Sequence, residues 1–337
     1  MADGLSGHDT PDELDALIGS ADLDGLVRLV GTRTSTRDWA GLLDLRDRAR
    51  LAVAAGQQLW PAAALAEFRL ALLAPVYWAA RVLDEDSGHF SIGPLTEVVA
   101  QDHTWDELSR LLVLDPRAGF IAHERVLRGE MIDTEDLPDV LGLPYELQPW
   151  EPEYALAHYT EQLATFESPP RPDRGAPLDH HHDDSVLVDD PDVVLAVRQL
   201  VEPWTAESNG RAEIVCVEGT VQDAVAALDP PAALLTEITC GTALQWLAWA
   251  GASGGAFGRR RGAALGRFGA WWLVAALGGA TEEWPLSPHG IGELAEELEW
   301  YWWDDNEPVH GWQLQLAIES PMEGLAWAIR ASDSHVE

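Results

Sequence analysis

Apolar positions in the first half of the chain recur at the spacing of helices. Leu14, Leu17 and Ile18 stand at i, i+3 and i+4, and Leu23, Leu26, Val27 and Val30 carry the same stripe on to i+7. The residues from Trp39 to Val53 form an Arg- and Ala-rich helical run. Trp60-Pro61 opens another, with Ala64, Leu65, Phe68, Ala71 and Leu72 on one face; proline suits the first turn because its missing N–H has no partner there anyway. Thr104 and Glu107 have the spacing of a capping box, and Asp115-Pro116 opens a helix that carries His123 and Glu124. Alternation with period two is nearly absent before residue 166.

Residues 1–166 therefore read as an α-helical domain. Its layout resembles a HEAT- or TPR-like solenoid, but no fixed period or repeat consensus occurs, so an irregular solenoid or bundle is expected. Residues 167–190 read as a linker, with Pro169, Pro170, Pro172 and Pro177 and the polar run from Asp179 to Asp184. The texture changes at 191–337. Pro191 opens a helix, Ala212–Val217 reads as a strand, and Thr220 caps a further helix. Two apolar helices follow, then a helix over Ile291–Trp303, overlapping an acidic helix read over Glu293–Glu307. Trp312, Leu314, Leu316 and Ile318 alternate with polar or small residues, and Leu325, Trp327 and Ile329 do the same after the loop 320–324. The expected fold class is thus mainly α: a helical first half and a Trp-rich α+β second half with a small antiparallel sheet.

Charge narrows the partners. The chain has 337 residues, with 57 acidic against 21 basic ones, for a formal net charge of −36. Every basic residue is Arg, so lysine chemistry such as a Schiff base is excluded. Nucleic acid and anionic membrane surfaces are poor partners for such a surface; a basic protein is a good one. The absence of Lys and the scarcity of Asn point to a high-GC, actinobacterial genome. The two cysteines, Cys216 and Cys240, make no disulfide framework and no zinc motif, and the polar N-terminus lacks a signal-peptide pattern, so a cytoplasmic protein is expected. The uncharged stretch 239–258 is too rich in Gly, Thr and Ser for a membrane span, and the next one is too short.

Four arginines within nine residues stand out in so acidic a chain. If one helix ran through 254–272, Gly254, Gly258, Gly262, Gly266 and Ala270 would form a small-residue face. Arg260, Arg267 and Trp271 would share another, about 100° turning each residue. These three, with Trp300, are the candidate ligand-binding residues, suited to a phosphate or carboxylate. The opposing expectation is that the arginines pair with Glu296, Glu297 and Glu299. No catalytic residue is assigned. Gly251-Ala-Ser253-Gly-Gly255 matches GxSxG in letters but follows a helical run, whereas a nucleophile elbow needs a strand. Cys216 reads as a buried structural thiol. His180, His181 and His182 are an alternative metal set, yet adjacent side chains in a linker converge poorly on one ion, so neither metal nor cofactor is expected.

The blocks GRRRGAALGRFGAWWLVAAL (258–277), EWPLSP (283–288) and GWQLQLAIESPMEGLAWAIRASD (311–333) resemble uncharacterised hypothetical proteins of actinobacteria. The resemblance implies a high-GC source and a cytoplasmic setting, and assigns no activity to any residue. The chain reads as a non-enzymatic interaction protein of adaptor or immunity type. The alternative is a C-terminal domain that binds or processes a small anion.

Overall fold

The computed structural model describes residues 13–84, 88, 91–133, 136–178, 185–306 and 310–335. They form two compact units. One draws on the chain up to Leu112 together with Tyr159–Leu163, the other on Val113–His158 and Ala164 onward.

The first unit is helical: α1 (Glu13–Gly19), α2 (Leu23–Ser35), α3 (Trp39–Ala54), α4 (Trp60–Leu73), α5 (Val76–Ala80), α6 (Leu95–Asp102) and α7 (Trp105–Ser109). The starts of α2, α3 and α7 are set by side chains that satisfy orphan N–H groups. Asp22 accepts from the Gly25 N–H, Asp38 from the Gly41 N–H, and Thr104 with Glu107 completes the capping box. Leu14, Leu26, Val30, Leu42, Leu45 and Phe68 are fully buried or nearly so. Within this unit Tyr159 Oη donates to the buried Glu97 carboxylate.

The second unit is where the mainly α expectation fails. The described chain is 47% helix and 15% strand, a mixed composition. The small sheet is instead a seven-stranded, wholly antiparallel one in the order β3-β6-β7-β8-β9-β5-β4. After two-residue strands β1 (His158–Tyr159) and β2 (Ala164–Thr165), the sheet strands are β3 (Ala176–Pro177), β4 (Val186–Val188), β5 (Arg211–Glu218), β6 (Leu234–Ile238), β7 (Glu299–Asp304), β8 (Trp312–Ser320) and β9 (Leu325–Asp333). The helices of this unit are α8 (Pro116–Leu127), α9 (Pro191–Leu200), α10 (Glu202–Ala206), α11 (Val221–Ala227), α12 (Cys240–Ala252), α13 (Ala263–Leu277) and α14 (Pro288–Glu297). Three readings change. Helix does not continue past Leu127 to residue 166. The stretch read as linker supplies both edge strands. And the helix expected to Trp303 stops at Glu297, where Leu298 turns extended (φ −88°, ψ 142°) and β7 begins. A short run such as Trp300-Tyr-Trp-Trp303 satisfies helical and strand patterns alike, and its aromatic residues favour a pleated surface.

Register explains the core. Thr236, Trp302, Leu316, Ile329 and Ile214 stand in one row across five strands; Ile238, Trp300, Ile318, Trp327, Cys216 and Val188 form the next. That face packs under α9 and α12, with α13 packed on those two helices, while Trp303, Ala317, Ala328 and Val217 on the other face pack with α11. Helices α12 and α13 approach closely at glycines: a Cβ on Gly266 would lie 2.2 Å from the Ala248 carbonyl oxygen. Gly266→Val is therefore expected to destabilise the protein by about 1–3 kcal/mol, as overpacking does. A thermal melt unchanged from that of the parent would contradict this contact.

Candidate functional site

The arginine-rich stretch does not form one helix. Gly262 enters α13 with φ +94°, a conformation glycine adopts without strain, and Gly254, Gly258 and Arg260 all precede the helix. Arg267 and Trp271 remain i and i+4 on α13, with the guanidinium 5.3 Å from the indole centroid. Both are fully buried. Arg267 meets Glu151, not the acids of α14: Nε donates to Oε1 and Nη2 to Oε2, both at 2.7 Å. It also donates to the carbonyls of Pro144 and Glu146 at 2.9 and 2.8 Å. Glu151 further accepts from Trp271 Nε1, Tyr154 Oη and the Gln148 N–H. Each charge is thus matched by a partner charge and by neutral donors or acceptors, as burial requires. This centre ties α13 to the irregular chain 144–154.

His123 of α8 lies beside it, stacked on Tyr145 with ring centroids 4.2 Å apart. It is fully buried, and neither ring nitrogen has a hydrogen-bond partner among the described residues. Burial, then the charge of Arg267, pushes its pKa down to about 3, so the imidazole is neutral at pH 7. The neighbouring Glu124 accepts from the Ala264 N–H at the start of α13 and from Arg128.

The other expected positions are also occupied structurally. Trp300 is 2% exposed and donates from Nε1 to the Ala295 carbonyl. Ser253 ends α12 rather than following a strand, and its Oγ accepts from Trp204 Nε1 at 2.9 Å. Burial pushes the thiols up, Cys216 to about 12 and Cys240 to about 11, so both are protonated at neutral pH. His180, His181 and His182 lie outside the described residues. Among the described residues no group of three or more His, Cys, Asp or Glu could hold a metal ion.

What the structure does bring together is a pocket of about 220 Å³ lined by Phe166, Trp246, Trp249, Trp312, Arg171 and Gln313 among others. Its rings pack on one another. Trp246 sits 5.5 Å from Trp249 and 4.5 Å from Trp302, and Phe166 stacks at 6.4 Å on Trp249. Arg260 caps the far ring, its Cζ 3.9 Å from the Phe166 centroid. Arg171 lies 5.8 Å from the Trp302 ring and donates from Nη2 to Gln313 Oε1 at 2.5 Å. Its carboxylate neighbour Asp304 stands off at 3.9 Å. Burial pushes the Arg171 guanidinium below its ordinary pKa, and Asp304 with Asp305 opposes this only in part. The buried indole Nε1 atoms of Trp246 and Trp249 also lack hydrogen-bond partners among the described residues.

A second concavity of about 460 Å³ shares Ser168 with the first. Glu153, His158, Glu167 and Gln245 contribute its polar walls, and no arginine lines it. Gln245 holds that wall by donating to the Glu153 carbonyl at 2.9 Å. Both concavities flank the chain 165–171 and lie wholly in the second unit.

A model described as "Family of unknown function (DUF6183)" matches residues 24–335. The chain belongs to this family. No curated protein and no solved structure matches it. The DUF6183 match takes in the first unit from residue 24, the second unit up to residue 335, the Glu151–Arg267 centre and every residue of the two concavities. No helix among the described residues is long and apolar enough to cross a membrane.

Arg171 and Phe166 were not legible as site residues. Pro-rich sequence marks Arg171 as linker, and Phe166 stands alone at the end of the first half. The Trp246–Trp249 spacing of i, i+3 was the available signal, and it reads equally as core.

Proposed function

We propose that this member of the DUF6183 family is a non-enzymatic binding protein, working in the cytoplasm of a high-GC actinobacterium. Its recognition site is the Arg171–tryptophan pocket, and its ligand carries a carboxylate beside a flat ring. The observation that carries the reading is Arg171 itself: a half-buried guanidinium at a pocket of aromatic rings, held by Gln313, with its carboxylate neighbour Asp304 3.9 Å away, beyond hydrogen-bond reach. An incoming anion restores the lost solvation, and a ring adds stacking on indole and phenyl faces. A cavity of about 220 Å³ suits one ring with a small charged substituent. In this form the anion-binding reading moves from Arg267, which is enclosed, to Arg171.

The probe is 3-phenylpropionate, with its neutral amide as control, followed by ligand-observed NMR. A ligand this small is expected to bind with a Kd of roughly 1 mM. The amide and the Arg171→Met variant are each expected to weaken binding at least about tenfold. Equal binding of acid and amide would overturn the assignment.

The net charge of −36 favours a second reading, an adaptor or immunity-type protein for a basic partner.

A further inference from the structure

The two concavities meet at Ser168, and their chemistry is opposite in sign. On one side are four aromatic rings and Arg171; on the other are Glu153 and Glu167 with no arginine in the wall. Both carboxylate-bearing residues are exposed, so they face water until a partner arrives. A single occupant that satisfies both halves carries an anion and a ring at one end and cations a few residues away.

Resting on the reading above, we infer that the ligand is the carboxy-terminal end of a basic polypeptide. The terminal residue is aromatic. Its ring enters against Trp312 and the stacked Phe166–Trp249 pair, and its free α-carboxylate meets Arg171. The chain then crosses Ser168, and basic side chains upstream lie in the cleft against Glu153 and Glu167. Ser168 lines both concavities, so an extended chain that fills one continues directly into the other. The overall charge draws a basic partner in and makes its arrival depend on salt.

The test uses the full-length protein and four peptides in isothermal titration at low salt. Acetyl-Arg-Arg-Gly-Phe with a free carboxylate is the reference. Its amide is expected to bind about thirtyfold more weakly, since a charge-assisted hydrogen bond is lost. Acetyl-Gly-Gly-Gly-Phe is expected to lose about tenfold, as is the reference peptide against the Glu153→Gln, Glu167→Gln double variant. Acetyl-Arg-Arg-Gly-Ala is expected to bind too weakly to measure. If the glycine peptide binds as well as the reference, and the double variant changes nothing, the polypeptide inference falls while the pocket reading stands. If neither amidation nor Arg171→Met matters, both fall.

Discussion

Glu151→Leu is expected to destabilise the second unit by about 3–5 kcal/mol, the cost of leaving a buried charge without its partner. The change strands more than Arg267. Trp271 Nε1, Tyr154 Oη and the Gln148 N–H all donate to the same carboxylate. Arg267 itself has no solvent to turn to, both side chains of the pair being 0% exposed. Urea unfolding followed by tryptophan emission reports on this unit, because ten of the sixteen tryptophans fall between Trp246 and Trp327. Arg267→Met in the same background should cost less than it does alone, since the second change removes the stranded charge. Strict additivity of the two, or a loss below about 1 kcal/mol for Glu151→Leu, would contradict the buried pair.

The second large effect is acid sensitivity centred on His123. Unfolded, this histidine titrates at about 6.5; folded, its pKa is about 3. Between these values the unfolded chain binds a proton that the folded one does not. Stability is therefore whole above pH 6.5 and falls as the pH drops through the window, by about 1.4 kcal/mol per unit at most for one proton. The imidazole stacks on Tyr145, which stays neutral there, and lies in the field of the Arg267 guanidinium. His123→Leu keeps the apolar volume and removes the titration. Its unfolding free energy should fall less steeply than that of the parent between pH 6.5 and 5. Parallel slopes would show that the ring is solvated or partnered in the folded protein.

Local signals survived into the structure where a few adjacent residues decide them. The capping box at Thr104 and the N-cap at Thr220 form, and β8 and β9 form where alternation places strands, although both of their faces are buried. What was not legible depended on contacts distant in sequence. Strand β7 is fixed by pairing with β6 and β8, and its four aromatic residues carry no period of their own. The edge strands β3 and β4 have two and three residues, too few for alternation beside proline and aspartate. The charge partner of Arg267 lies 116 residues away, so proximity in sequence pointed to the wrong acids. Arg171 meets Gln313 across 142 residues, and only the folded sheet brings that arginine beside Trp302 of β7 and into one pocket with the tryptophans of α12.

The central claim is that Arg171 and its ring of aromatic residues form a recognition site. A crystal structure of the protein grown with 3-phenylpropionate tests it most directly. The account predicts the phenyl group against Trp312 and the stacked Phe166–Trp249 pair, with the carboxylate within hydrogen-bond distance of Arg171. An empty pocket with Asp304 closed onto Arg171, or the ligand bound only elsewhere, would contradict it.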